Sequence, residues 1–370
     1  MVNIKRNPAY VVYKMAKLLD QSVSCLDPLG LDIFFENHFT RLANAGSSNE
    51  MLDFMEQHLS SISFSDLMEL NEVAAMAAAR DIAMLASALT RLGVRVSEIP
   101  VLETIMVKLA DKTYEVPADT VFSYGPRNPS GRRRRTFTGS SEEEMFIQSF
   151  SEGMNGLIIT LAGLEILQEM DICDPMYSQY ASEAADGMEI MVDSIFAVRK
   201  IVTPEVFTFK LRPFFDPKTI CGRTYFAPGG AQMPISMIDL LLWGVGETDK
   251  TCLSYWNENF QYLPTSYRSK IESISRGKSI VQIVTSKVSQ GIKNQLKTNA
   301  LASIDGLLGV FDQIIRFRAP HLGIAKANMK IRQKDAVGSG GYDTSILHHL
   351  IAKTSVAKNA LNSSKLELCT

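Results

Sequence analysis

Apolar side chains recur at helical spacing along most of the chain, and few stretches alternate with period two. That pattern predicts an all-α fold with no large sheet. Residues 69–94 are rich in Ala, Met and Leu and read as a buried helix. Residues 98–112 follow, with Ile105 and Leu109 on one face. A long helix is expected over about 141–170. Ser140 or Ser141 can cap it, and Glu142, Glu143 and Glu144 sit where the helix dipole favours anions. Another helix runs over 176–201 and stops before Pro204. Further helices are expected near 233–243, 266–276, 279–296, 299–318 and 344–362. No internal repeat is visible.

Two segments break this rhythm. Residues 124–140 hold Gly125, Pro126, Pro129, Gly131 and four consecutive arginines, Arg132 to Arg135. Residues 213–232 hold Pro213, Pro217, Gly222, Pro228, Gly229 and Gly230. The first is the candidate boundary between a smaller N-terminal helical part, 1–130, and a larger helical part, 131–370. The arginine run has two readings: a solvated loop, the usual fate of a charge run, or a basic lid that attracts anions.

Composition narrows the function classes. A chain of 370 residues with 46% apolar and 21% charged residues can bury a sizeable core. A formal net charge of −2 does not advertise nucleic acid as a partner. No stretch reaches the ~18 uninterrupted apolar residues of a membrane helix; the run 156–167 is too short and reads as a buried helix. The first residues carry no apolar h-region with a cleavage site, so no signal peptide and no membrane partner are expected. Cys25, Cys173, Cys221, Cys252 and Cys369 are scattered without CxxC spacing, which points to reduced thiols and a cytoplasmic protein.

The chemistry-bearing residues are few. The histidines are His38, His58, His321, His348 and His349, with no HExxH motif; His348 and His349 diverge by roughly 100° on a helix and do not easily share a metal. No GxSxG elbow or phosphate-binding P-loop occurs. What remains is Phe317-Arg318-Ala319-Pro320-His321, expected to end a long apolar helix, with Pro320 removing an amide donor near the helix end. A single histidine on haem iron leaves the opposite face open for oxygen. Arg318, three residues earlier, shares its face and suits a propionate or a carboxylate from another helix. On pattern alone, a lone histidine beside an arginine is more often structural.

Gly338-Ser339-Gly340-Gly341 allows positive φ and close approach of backbone to a ligand, with Ser339 both donor and acceptor; the plain alternative is a flexible loop. Gly229, Gly230 and Ala231 before a helix offer the same close approach, or merely a turn. Arg212 and Arg223 have the chemistry to grip a substrate carboxylate bidentately, and either is equally compatible with a surface position.

Taken in order, VTPEVF, LRPFFDP, GGAQMP and LLWG over 204–249, then RFRAPHLGIA and VGSGGYDTSIL over 315–347, resemble the tryptophan and indoleamine dioxygenase superfamily, most closely its pyrrolnitrin-pathway branch. The likeness weakens over 70–203 and is weakest in the first 60 residues. It implies an indoleamine-dioxygenase-like all-α fold and haem b, with His321 as the proximal iron ligand. It implies an ion pair of Arg318 with Asp239, a haem-face loop of Gly229, Gly230, Ala231 and Gln232, and haem contacts from Gly338 and Gly340. Ser339 and Tyr342 become the candidate catalytic residues, and Ser339 with Arg212 and Arg223 the candidate substrate contacts. The distal histidine of the tryptophan dioxygenases has no counterpart here that His38 or His58 can be assigned to.

The implied activity is a haem-dependent, decarboxylating oxidative rearrangement of tryptophan or a halotryptophan toward an aminophenylpyrrole. Its small-molecule partners are an aromatic amino acid and either peroxide or dioxygen with an electron donor. Oligomeric state stays open. The alternatives are a 2,3-dioxygenase or monooxygenase of an aromatic amino acid, a non-catalytic haem sensor, and a structural helical protein without cofactor.

Overall fold

The computed structural model describes residues 8–244, 246, 249–332, 337–338 and 340–370. Among them the fold is all-α, and the only strands are two of three residues each. The longer helices are α1 (Pro8–Ser24), α2 (Asn49–Ser61), α3 (Glu72–Arg91), α4 (Pro100–Thr113), α5 (Ser141–Glu169), α6 (Tyr177–Ile201), α7 (Ile235–Leu242), α8 (Lys250–Phe260), α9 (Thr265–Arg276), α10 (Ile280–Ser289), α11 (Lys297–Arg332) and α12 (Ser345–Cys369). Strands β1 (Lys218–Ile220) and β2 (Arg223–Tyr225) pair antiparallel, Thr219 opposite Thr224.

Local chemistry sets several helix starts. The Asn71 side chain accepts the Ala74 N–H and caps α3; Ser140 accepts the Glu143 N–H and caps α5. Glu143 is fully buried at that N-terminus, where its carboxylate accepts the amides of Phe137 at 2.8 Å and Thr138 at 2.6 Å. Helices α5, α6 and α11 form the scaffold under the site. α5 and α6 cross at glycines: a Cβ on Gly156 would meet the Gly187 carbonyl at 2.4 Å, and one on Gly306 of α11 would meet Ala181 of α6 at 2.7 Å. Only glycine permits backbones this close, and the approach holds the long helices at a fixed spacing.

One hydrophobic core runs from Tyr13 to Leu368 and takes residues from every long helix. It spans the boundary near residue 130, where α1 packs on α5. Two helices, Glu72–Arg91 and Ser141–Glu169, are long and apolar enough to cross a membrane by composition, but their apolar windows are 78% and 67% buried within the protein. Packed core accounts for them.

The fold corrects several sequence expectations. The helix expected to end by residue 318 runs on through Pro320 to Arg332. Proline removes one backbone donor and costs about 3 kcal/mol in a helix interior; the packing of the turns beyond it outweighs that. The helix expected over 279–296 stops at Ser289, because Gly291 takes a positive φ of 88°. The last helix reaches Cys369, and α1, α2 and α8 had no clear sequence signature.

The arginine run divides: Arg132 stays in solvent, its side chain 89% exposed, while Arg133 and Arg135 are drawn into ion pairs. Arg135 is 0% exposed, and its guanidinium meets Asp81 at 3.1 Å and Asp32 at 2.6 Å while lying over the Phe35 ring. Arg133 pairs with Asp32 at 2.6 Å and donates to the carbonyls of Ser24 and Cys25; Arg132 meets Glu36 at 2.7 Å. The run ties the N-terminal segment to α3.

Candidate active site

His321 faces two cavities that meet at its ring. The first, about 770 Å³, lies between α7, α11 and α12 and is bordered by Asp239, Tyr255, Arg318, Gly340, Tyr342 and Leu350. The second, about 1050 Å³, is walled by Phe146 and Phe150 of α5, Met191 and Ser194 of α6, and Arg212, Asn328 and Arg332. Gly230, Phe317, Ala325, Met329 and Gly338 border both.

The His321 ring makes no hydrogen bond among the described residues and lies tilted against Phe317, 5.6 Å between centroids. Burial pushes its pKa down to about 4, and the positive charge of Arg318 lowers it further in the same direction. At neutral pH the imidazole therefore carries a free lone pair. An unprotonated, unbonded ring nitrogen facing open space can ligate a metal or the iron of a cofactor.

Behind it stands the pair expected from sequence. Arg318 donates to Asp239 Oδ2 at 2.5 Å and to Thr354 Oγ1 of α12 at 2.6 Å; arginine and aspartate are 2% and 1% exposed. Burial raises the Asp239 pKa, and Arg318 opposes that shift. The pair ties α7, α11 and α12 together along the wall that carries His321. Breaking such a buried pair from one side leaves an uncompensated charge.

The two glycine segments, over a hundred residues apart in sequence, touch here. A Cβ on Gly340 would lie 3.2 Å from Ala231 Cβ, and one on Gly230 would lie 3.6 Å from His321 Cε1. Gly229 borders the larger cavity, and Gly338 accepts the turn back from Tyr342, its N–H donating to the Tyr342 carbonyl at 2.8 Å. Gly341 has φ of +83° and would place a Cβ 2.3 Å from the Phe226 ring, so only glycine fits. Gln232 holds the other segment: it accepts the Val121 N–H at 2.9 Å and donates to the Ala227 carbonyl at 2.9 Å. It braces the loop from behind.

The remaining candidates divide. Tyr342 borders the smaller cavity with its ring, but its hydroxyl donates to Glu258 at 2.5 Å and accepts from Asn259 at 3.0 Å. Both partners lie on α8, so the hydroxyl anchors the glycine loop. Arg212 lies in the wall of the larger cavity, brought there by a π-helical turn, Phe207–Leu211, that leads into it. One guanidinium nitrogen serves the Phe215 carbonyl and Asp216, both at 2.6 Å, while Nε has no partner among the described residues. Arg223 sits on β2 away from both cavities, over the Tyr225 ring and bonded to Gln261. Ser339 lies outside the described residues.

Sequence reading missed Asn328 and Arg332. Asn328 Oδ1 is buried without a partner among the described residues, and Arg332 stands near enough to Arg212 to add to the lowering of its pKa by burial. From Arg318 the cavity-facing positions run 321, 325, 328, 329 and 332, a single face of one helix. That spacing was visible in the sequence, but only to a reader who let the helix continue through Pro320.

A family model for monodechloroaminopyrrolnitrin synthase matches residues 46–366. The chain belongs to this family. The match takes in α2 to α12 almost whole and every residue of the two cavities; α1 lies before it. Membership agrees with the all-α fold and with the resemblance carried by the FRAPH and GSGGY segments.

Proposed function

We propose that the protein is a haem-dependent enzyme of pyrrolnitrin-type biosynthesis that converts tryptophan or a halotryptophan to the corresponding aminophenylpyrrole. The reading rests on family membership together with one observation: the neutral, unbonded His321 imidazole at the junction of two cavities. The residues suit haem b. His321 would ligate the iron, Gly229, Gly230, Gly338 and Gly340 border the cavities without a side chain, and Arg212 and Arg332 offer positive charge for carboxylates. When bound, haem would supply activation of dioxygen or peroxide.

Atom counting defines the reaction. Tryptophan loses carbon dioxide and two hydrogens on the way to the aminophenylpyrrole. With hydrogen peroxide the balance closes as carbon dioxide and two waters; with dioxygen it needs two further electrons and two protons from a donor.

The chain's own residues supply placement. Arg318 and Asp239 fix the helix face that bears His321. Phe146, Phe150 and Met191 give an aromatic substrate an apolar bed and keep water away from it. Arg212 Nε and Asn328 Oδ1 offer a donor and an acceptor for an amino acid's carboxylate and amino groups. A cytoplasmic, reduced setting suits five unpaired cysteines.

Reconstitution with haemin followed by addition of L-tryptophan tests the reading. A sharp Soret band that shifts with tryptophan or its halogenated forms, and is lost in His321→Ala, supports it. Absence of specific haem uptake refutes it. Product mass separates rearrangement from ring cleavage, since cleavage retains both atoms of dioxygen and rearrangement retains neither.

A further inference from the structure

Away from the cavities, the start of α8 and the first turns of α12 bring together three donors of different chemistry: Asp249, Cys252 and His349. Their ligand atoms all lie within 4.8 Å of one another. Asp249 caps α8, its Oδ1 accepting the Cys252 N–H at 3.1 Å, and this sets both residues at Asp-x-x-Cys spacing on one helical turn. His349 reaches across from α12 with Nε2 3.1 Å from each Asp249 oxygen. Lys353, one turn further along α12, holds Asp249 Oδ2 at 2.6 Å.

We infer that Asp249, Cys252 and His349 form a binding site for one zinc-type divalent transition-metal ion that clasps α8 to α12. Carboxylate oxygen, thiolate and imidazole together are a zinc donor set, whereas calcium and magnesium take oxygen alone. Tetrahedral zinc, with bonds of roughly 2.0–2.3 Å, holds its donors roughly 3.3–3.8 Å apart. The three donor atoms lie within 4.8 Å of one another, and binding would draw them together by side-chain rotation.

The surroundings suit the ion. Lys353 occupies one carboxylate oxygen and orients the other, the role that neighbouring hydrogen bonds play around metal-bound carboxylates. Cys252 is 0% exposed, while the His349 side chain is 33% exposed, so a water can take the fourth position from the solvent side. Burial, and then the Asp249 charge, push the Cys252 thiol up to about 12. Zinc binds cysteine as the thiolate, so each ion taken up expels a proton. An ion-paired helix cap alone accounts for Asp249, His349 and Lys353. The buried sulfur packs in the core beside them and also bonds Asp249, which places a third donor at the same carboxylate.

The site lies behind the candidate active site. The other end of α8 carries Glu258 and Asn259, which hold Tyr342, and α12 lends Ile346 and Leu350 to the smaller cavity. A bound ion would stiffen that wall without touching substrate.

The test uses the full-length chain, stripped with EDTA, dialysed and titrated with zinc and separately with cobalt. One zinc per chain is expected by elemental analysis, with release of one proton at neutral pH and a rise in Tm. Cobalt should give a thiolate-to-metal absorption band in the near ultraviolet. Cys252→Ala and His349→Gln should lose the stoichiometric ion, while His321→Ala keeps it, which separates this site from the haem reading. Zinc retained by the Cys252 and His349 variants but lost with His321→Ala would overturn the assignment. So would a wild-type protein with no thiolate-to-cobalt band, a readout that requires no variant to fold.

Discussion

Arg135 and Arg212 are both buried arginines in turn-rich segments, 0% and 5% exposed, yet their surroundings are opposite. Around Arg135 every charge is answered. Asp81, Asp32 and Arg80 form a closed network with it, and the attraction of Asp81 and Asp32 holds its pKa above the usual range against the cost of burial. Around Arg212 the balance is incomplete. Burial, seconded by Arg332, outweighs its single carboxylate partner and lowers its pKa, and Nε points to no acceptor. A closed network uses its polar groups to hold elements together. An open one leaves capacity for a ligand, at a cost in stability that binding can offset.

Breaking the closed network should have the largest effect. Arg135→Met takes one of two arginine partners from each of Asp81, which keeps Arg80, and Asp32, which keeps Arg133, and loss of about 3 kcal/mol of stability is expected, read from chemical denaturation. Should the variant unfold at the wild-type midpoint, the network contributes nothing and the contrast fails. Next comes the glycine loop. Gly341→Ala meets both the positive φ and the Phe226 ring, and a loss of about 1–3 kcal/mol is expected, with weaker ligand binding because the loop must move from Ala231.

Arg212→Met sharpens the comparison from the other side. It should leave the unfolding midpoint nearly unchanged while weakening binding of the carboxylate ligand about tenfold to a hundredfold, the worth of one charge-assisted hydrogen bond. Equal binding by the variant, measured by titration calorimetry, would remove Arg212 from the site.

The smallest effect concerns Lys218, buried beside the same segment. Burial pushes its pKa down to about 8, against the attraction of Asp119. Between about pH 8 and its ordinary value of 10.5 the unfolded chain holds a proton that the folded chain has released. Stability from this group therefore rises with pH across that window. The denaturation midpoint should rise less with pH over the same range in Lys218→Met.

The candidate site was legible in the sequence where it rests on short motifs. Phe317 to His321 and Gly338 to Tyr342 marked it, and the Arg318–Asp239 pair was expected and found. Asn328 and Arg332 escaped because Pro320 was read as a helix end, and a local rule gave way to packing of the following turns. Tyr342 was assigned to chemistry on the GSGGY resemblance, but Glu258 and Asn259 take its hydroxyl, and neither is near it in sequence. Arg223 and Arg212 looked alike in the sequence; one lies on an exposed strand and the other in a cavity wall.

Helical class, the helices α3 to α7 and the histidine at the centre of the site were determined by the sequence itself. Periodicity, capping residues and glycine content act over a few residues and are read in place. Which charges are answered and which stay open was decided only by the tertiary structure. The arginine run looked like free charge until the fold brought Asp32 and Asp81 to it across 50 to 100 residues. Electrostatic compensation depends on distance in space, and for buried charges the chain supplies it from wherever folding places an opposite charge.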